Sequence, residues 1–353
     1  MAIRVTSAEL LLKGVMNLWW NKAELPGPTE FGVIRGALDL ALGEGWRQEW
    51  WNDLMQFEER YFRANWLAAS TYNKTAEVYD AATQQYFQSL RDGVTGAGQS
   101  PTDSAGAERS AYWAQCLTSY SADTWVSGTS YAVGDWVLYA PTNRVYQCHT
   151  AHVASGTLTP DATGGNERWG VLTPFQRYVD QDASGQTAIG DPQDVTDSDP
   201  RTTAQWRGLV WTTAQNRVYV LEECVRCWVI FRSRRPRLLP TLDTFDAAAG
   251  YASGEQIYWD NGGTITGNFY QANASAAAGE DPSDTPGKWD VIEIPEFLEG
   301  YLIYTAYAKC LTGDDREDKM AGALAMASGY LDLEADNIYR QQGQTPTVRM
   351  RTY

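Results

Sequence analysis

Apolar residues recur at helical spacing at both ends of the chain and at strand spacing through its middle. After the cap residue Ser7, Leu10, Leu11, Val15, Leu18 and Trp19 form one stripe and predict a first helix. Pro26-Gly27-Pro28 breaks it, and Thr29 is placed to cap a second helix through Val33, Ala37, Leu40 and Ala41, loosened at its end by Gly43 and Gly45. Trp50, Leu54, Phe57 and Tyr61 then step by four, three and four, which predicts a core-facing helical stripe within 46–61. Near the other end, Pro295 precedes a helix carrying Phe297, Leu298, Leu302, Ala306 and Cys310; Gly313 ends it and Asp314 is placed to cap the next. That last helix puts Met320, Leu324, Ala327, Leu331, Ala335 and Ile338 on one face. Ala321, Gly322, Ala325, Ser328 and Gly329 on other faces permit close helix–helix approach, and the short loop predicts antiparallel neighbours. Beyond Gly343, Val348 and Met350 alternate with Arg349 and Arg351, as in a strand that lacks a partner.

The middle contains an internal repeat. Its first copy has Tyr72, Val78-Tyr79, Tyr86-Phe87-Gln88, Pro101 and Trp113. The second has Tyr131, Gly134-Asp135, Val137, Tyr139, Tyr146-Gln147, Pro160 and Trp169; the third has Tyr251, Gly254-Glu255, Ile257-Tyr258, Tyr270-Gln271, Pro282 and Trp289. The leading Tyr stands six residues before the Val or Ile in every copy, and the closing Trp follows that Tyr by 41, 38 and 38 residues. Each copy predicts a three-stranded meander. A unit this small buries little area, so Tyr and Trp rings must supply most of its core.

Between the second and third copies, 209–211, 218–221 and 227–231 read as further strands, preceded by an Asp- and Pro-rich loop over 189–201. The region ends in a basic run with Arg232, Arg234, Arg235 and Arg237, a candidate contact for an acidic neighbour or nucleic acid, or else a solvated strand end. The predicted fold class is α+β: a helical bundle built from the N- and C-terminal segments, with three inserted meander repeats and one additional β region. The expected boundaries are 1–63 for the N-terminal helices, 64–120, 121–175 and 241–293 for the repeats, 176–240 for the β region, 294–342 for the C-terminal helices and 343–353 for the tail.

Charge narrows the function classes. Against 28 Lys and Arg stand 44 Asp and Glu, a net −16, which argues against the basic footprint of a duplex-DNA binder. No leader-like segment opens the sequence, and no uncharged apolar run approaches the ~18 residues of a membrane span, so the expectation is a soluble product with no membrane partner. Five cysteines in no framework spacing predict free thiols and a reducing compartment.

Candidate chemistry is sparse. His149 and His152 are the whole histidine complement. Cys148-His149-x-x-His152 with Cys224-x-x-Cys227 has the residue types of a zinc site but not the spacing, and Cys224 and Cys227 on a strand would face opposite ways. Cys148 with His149 lacks a third, orienting group for nucleophilic catalysis. No nucleophile elbow, phosphate loop or dinucleotide fingerprint occurs. The expectation is a non-enzyme with no catalytic residue, metal or cofactor.

The repeat resembles the small chitin-binding-type modules of carbohydrate-binding families 5 and 12, through its Tyr, Gly-Asp, Val, Tyr, Pro and Trp. That resemblance implies sugar binding through exposed tryptophans just after the second Tyr strand, where this chain has none; Trp136 and Trp259, elsewhere on the strands, are the candidate glycan or partner contacts. The terminal helices resemble the head-to-tail adaptor (connector) proteins of tailed bacteriophages. The likeness rests on 36–42 with Trp46, Trp50 and 57–60, and on 304–308 with 320–344.

The adaptor resemblance implies a structural protein of the virion neck, assembled in the host cytoplasm. Copies would form a ring, commonly of twelve, between portal protein and tail or neck protein, with genomic DNA passing through unread. It implies further that the tail docks on the portal through Thr347, Val348, Arg349, Met350, Arg351 and Tyr353, and that the inserted modules project as decoration or fibre attachment. The alternatives are a glycan-binding virion or secreted protein, and a tail-fibre or baseplate component.

Overall fold

A computed structural model describes residues 4–48, 51, 54–162, 167–183, 186–313 and 316–342. The chain is mixed α and β and divides into two compact units, Met1–Met55 with Arg232–Tyr353, and Gln56–Phe231. The second unit is thus inserted into the first.

In the first unit, helix α1 spans Ala8–Trp20, with Ser7 Oγ accepting the Leu10 N–H at 3.2 Å as its cap. Helix α2 spans Pro28–Gln48. It begins at Pro28, a residue ahead of the expected Thr29 cap, because a proline's fixed φ and missing N–H suit the first helical position. Gly43 and Gly45 do not loosen it. Gly45 is a contact point, since a Cβ there would stand 2.7 Å from the Tyr301 ring. Helices α3 (Glu299–Gly313) and α4 (Glu317–Gln342) follow near the C-terminus. Leu11, Leu38, Leu302 and Ala327, one from each helix, share one apolar cluster.

Of the helical stripe expected within 46–61, Trp46 lies at the end of α2 and Met55–Tyr61 is a strand. It pairs with Arg226–Ser233, which pairs in turn with Ile189–Thr196. The four-three-four spacing was a coincidence that sheet pairing overrides; Trp50 lies outside the described residues. The expected loop over 189–201 likewise forms a strand, with Pro192 tolerated because this strand is the sheet's edge.

The repeat is the most regular feature of the fold. Its strands are Glu77–Asp80, Gln85–Ser89 and Trp113–Gln115; then Trp136–Tyr139, Arg144–Cys148 and Trp169–Val171; then Gln256–Trp259, Asn268–Ala272 and Trp289–Val291. Registers agree position by position: Val78, Val137 and Ile257 oppose Phe87, Tyr146 and Tyr270, while Ser89, Cys148 and Ala272 oppose the closing Trp113, Trp169 and Trp289.

Each copy opens on an aromatic residue, Trp66, Trp125 or Phe245, whose N–H donates to the first strand at Tyr79, Leu138 or Tyr258 (2.8, 2.9 and 2.9 Å). Six residues later comes the leading Tyr. Its hydroxyl accepts the backbone N–H five residues back, Leu67 for Tyr72, Val126 for Tyr131 and Asp246 for Tyr251, at 2.7, 2.9 and 2.8 Å. The ring of each meets the closing Trp edge-on, with centroids 5.5, 5.2 and 5.5 Å apart.

The third copy lies in the helical unit rather than apart from it. Its Tyr258 and Phe269 belong to the helix core, and the Glu9 carboxylate of α1 accepts the Gly267 N–H at 2.8 Å. The first two copies lie in the inserted unit, together with the β region.

One turn position exposes a local strain. Thr75, Gly134 and Gly254 are equivalent, donating N–H to Ser89, Cys148 and Ala272 at 2.8, 2.8 and 2.7 Å, all with positive φ (70°, 98° and 93°). Only the first copy places a β-branched residue where glycine is favoured. Thr75→Gly is expected to stabilise the inserted unit by about 0.5–1 kcal/mol, the relief of left-handed strain less the added freedom of the unfolded chain. Urea unfolding checks this, and a lower midpoint would show that the position carries no strain.

Candidate functional site

The tail residues Thr347, Val348, Arg349, Met350, Arg351 and Tyr353 lie outside the described residues. The other predicted contacts are placed, and they do not meet at one site.

Trp259 is 6% exposed and edge-on to Tyr270 inside the third repeat, so neither of its faces is open to a sugar. This corrects the expectation of an outward ring. The residue lies in a four-residue strand that is buried throughout, so period-two alternation does not apply to it. Trp136 is half-buried. It meets Tyr120 edge-on and donates its indole N–H to Gln147 Oε1 at 3.0 Å.

That glutamine belongs to a recurring polar pair. Gln88, Gln147 and Gln271 oppose Glu77, Trp136 and Gln256. Buried Gln88 donates to the Val171 carbonyl (2.5 Å) and accepts the Thr173 N–H (3.1 Å), while buried Gln147 donates to Glu108 (3.2 Å). These bonds fasten the first repeat to the second, and Leu90, Ala114 and Leu172 supply the apolar contact. Gly170 is required there, because a Cβ would sit 2.5 Å from the Leu90 side chain.

The basic run faces inward in part. Arg232 donates to the Trp46 carbonyl at 2.9 Å, near the C-terminal end of α2, and Arg235 donates to the Asp39 carbonyl and carboxylate at 2.6 and 3.1 Å. Arg234 and Arg237 are exposed.

No disulfide joins the cysteines among the described residues. Cys148 donates to the Thr150 carbonyl and lies 3.7 Å from His152 Nδ1; burial pushes its thiol up to about 11, and pushes Cys116 and Cys227 up as well. An activated thiol needs the opposite shift. Among the described residues, no three His, Cys, Asp or Glu side chains gather as a metal set.

Two features remain as candidate sites. The first is a cleft of about 720 Å³ between the first and second repeats, which the sequence concealed because its two walls lie far apart along the chain. Lys74, Arg91 and Arg144 line it, together with Asp92, Asp161 and Glu167. Lys74 donates to the Trp169 carbonyl at 2.9 Å, and burial pushes its pKa down. Arg91 Cζ lies over the Tyr112 ring, 4.2 Å from its centre.

The second is the outer surface of the helices. From Met320 to Leu331, α4 carries no charged side chain, yet only Ala323, Ala327 and Leu331 are buried along it. Gly322, Met326, Gly329 and Leu333, spaced by four, three and four, form an exposed stripe; Met326 is 50% and Leu333 57% exposed. On α2, Val33 (46%), Gly36 and Leu40 (59%) repeat the large–glycine–large pattern at the same steps of three and four as Met326, Gly329 and Leu333. Apart from the helix's own backbone and the adjoining residues, no atom of the described residues lies within 4 Å of where a Cβ would stand on Gly36, Gly322 or Gly329. The sequence identified the small residues of α4 but assigned Leu324 to the core face; it is 44% exposed.

No helix among the described residues is long and apolar enough to cross a membrane. Compared with known proteins, the chain matches no family model and no curated sequence.

Proposed function

We propose that this protein is a head-to-tail adaptor of a tailed-bacteriophage neck: a helical bundle that assembles in the host cytoplasm into a ring, of twelve copies as is common in the family it resembles. The ring sits between portal protein and tail or neck protein. The carrying observation is the pair of notched apolar stripes on α2 and α4. A helical stretch without charge, as over 320–331, belongs in an interior, and here only Ala323, Ala327 and Leu331 of that stretch are buried. Two different stripes with matching spacing on one subunit fit a heterologous contact, in which bulky residues of one copy enter the glycine notches of the next. Heterologous contacts close into rings when the rotation permits. The net charge of −16 suits a conduit that must not adhere to the DNA sliding through it.

Docking to the portal is the test of identity. The full chain is expected to bind purified portal in a pull-down, and deletion of 345–353 to abolish binding while leaving the far-UV spectrum unchanged. Binding that survives the deletion would remove the tail from the interface. Trimers in mass photometry would favour a fibre or baseplate part instead.

A further inference from the structure

The cleft between the first two repeats belongs to the inserted unit, whereas the stripes on α2 and α4 belong to the helical one. We propose that the cleft is a binding site for an acidic saccharide, one whose ring carries a carboxylate. Its volume of about 720 Å³ lies within the range of small-molecule sites. The two repeats contribute opposite walls: Lys74 and Arg91 come from the first, Arg144 from the second. Three cations stand against three carboxylates on the cleft, so its lining is more basic than the chain as a whole, which has 16 more acidic than basic residues.

Arg91 rests over the Tyr112 ring and Lys74 is anchored on the Trp169 carbonyl, so part of the ordering cost of binding is met in advance. These groups answer a carboxylate. Asp92, Asp161 and Glu167 line the same cleft and can only accept hydrogen bonds when ionised, which matches sugar hydroxyls. A neutral sugar would need an open aromatic face. Tyr146 is 4% exposed, and Arg91 covers Tyr112. The site therefore reads charge and hydroxyls, not the stacking platform of the modules its repeats resemble, and it stands independently of the adaptor reading.

Calorimetric titration of the full chain at low salt, with trigalacturonate, the neutral galactose trimer and inorganic phosphate, decides the matter. Trigalacturonate is expected to bind at least tenfold more tightly than either of the others. Arg144→Ala, at an exposed strand end, is expected to weaken it at least tenfold with an unchanged melting temperature, and Asp161→Asn to weaken trigalacturonate without weakening phosphate. Equal affinity for phosphate and trigalacturonate would reduce the cleft to a general anion site. Equal affinity for the acidic and neutral trimers, no binding, or an unaffected Arg144→Ala would overturn the proposal.

Discussion

Under the proposed ring contact, Met326→Glu is expected to leave the protein monomeric. The residue is half exposed at the centre of the α4 stripe, flanked by Gly322 and Gly329, and is not among the residues of the buried helix cluster. In the proposed contact it enters the notch at Gly36 of the neighbouring copy. A carboxylate there would be buried without a partner, and an unpaired buried charge costs about 3–5 kcal/mol. Every subunit of a closed ring makes that contact twice, once from each stripe, so a loss of this size abolishes assembly at micromolar concentration. Gly36→Leu fills the notch from the other side and is expected to act alike. Mass photometry with and without portal reads the result, and the monomer's melting temperature should stay within about 1 °C of the parent's monomeric form, as for a surface substitution. Rings that persist in both variants would remove these stripes from the interface.

The largest stability effect is expected at the closing tryptophans. Trp113 and Trp169 are fully buried, each edge-on to the leading Tyr of its repeat. Truncation to Ala is expected to cost about 3–5 kcal/mol, a large fraction of the ~5–15 kcal/mol that holds a domain folded. The two sites differ in one respect. Trp113 Nε1 donates to the Gln99 carbonyl at 2.7 Å, whereas Trp169 Nε1 has no partner among the described residues. Trp113→Phe should therefore cost about 1 kcal/mol more than Trp169→Phe, the net worth of one buried hydrogen bond. Urea unfolding followed by tyrosine and far-UV signals measures both, and equal costs would show that the indole bond at Trp113 contributes nothing.

What was legible in the sequence followed from local chemistry. Ser7 and Pro28 mark helix starts because capping and proline geometry act within one turn of chain. The Tyr–Val–Tyr–Trp spacing predicted three meanders because a small sheet has few ways to bury rings, and all three share one register. The aromatic residues that open each copy, Trp66, Trp125 and Phe245, also recur six residues before the leading Tyr, and the backbone bonds they make to the first strand leave no mark in sequence.

The stretch 54–61 shows where local spacing fails. Leu54, Phe57 and Tyr61 satisfy a helical period, yet Met55–Tyr61 is a strand, because pairing with a segment some 170 residues away in sequence outweighs a weak local preference. Trp259 is a similar case: alternation predicts an outward ring only for a half-buried sheet, and the strand Gln256–Trp259 is buried throughout.

By itself, then, the sequence determined the helical ends, the three repeats and their aromatic cores, and the net acidity of the chain. Tertiary structure alone decided which repeat joins the helices, that Gln88 and Gln147 fasten two copies together around a charged cleft, and that α4 leaves an apolar stripe uncovered. The division has one physical cause. Capping, turn and strand propensities act over a few residues and are written in order along the chain, whereas clefts and exposed faces arise from which distant segments remain in contact once folding is complete.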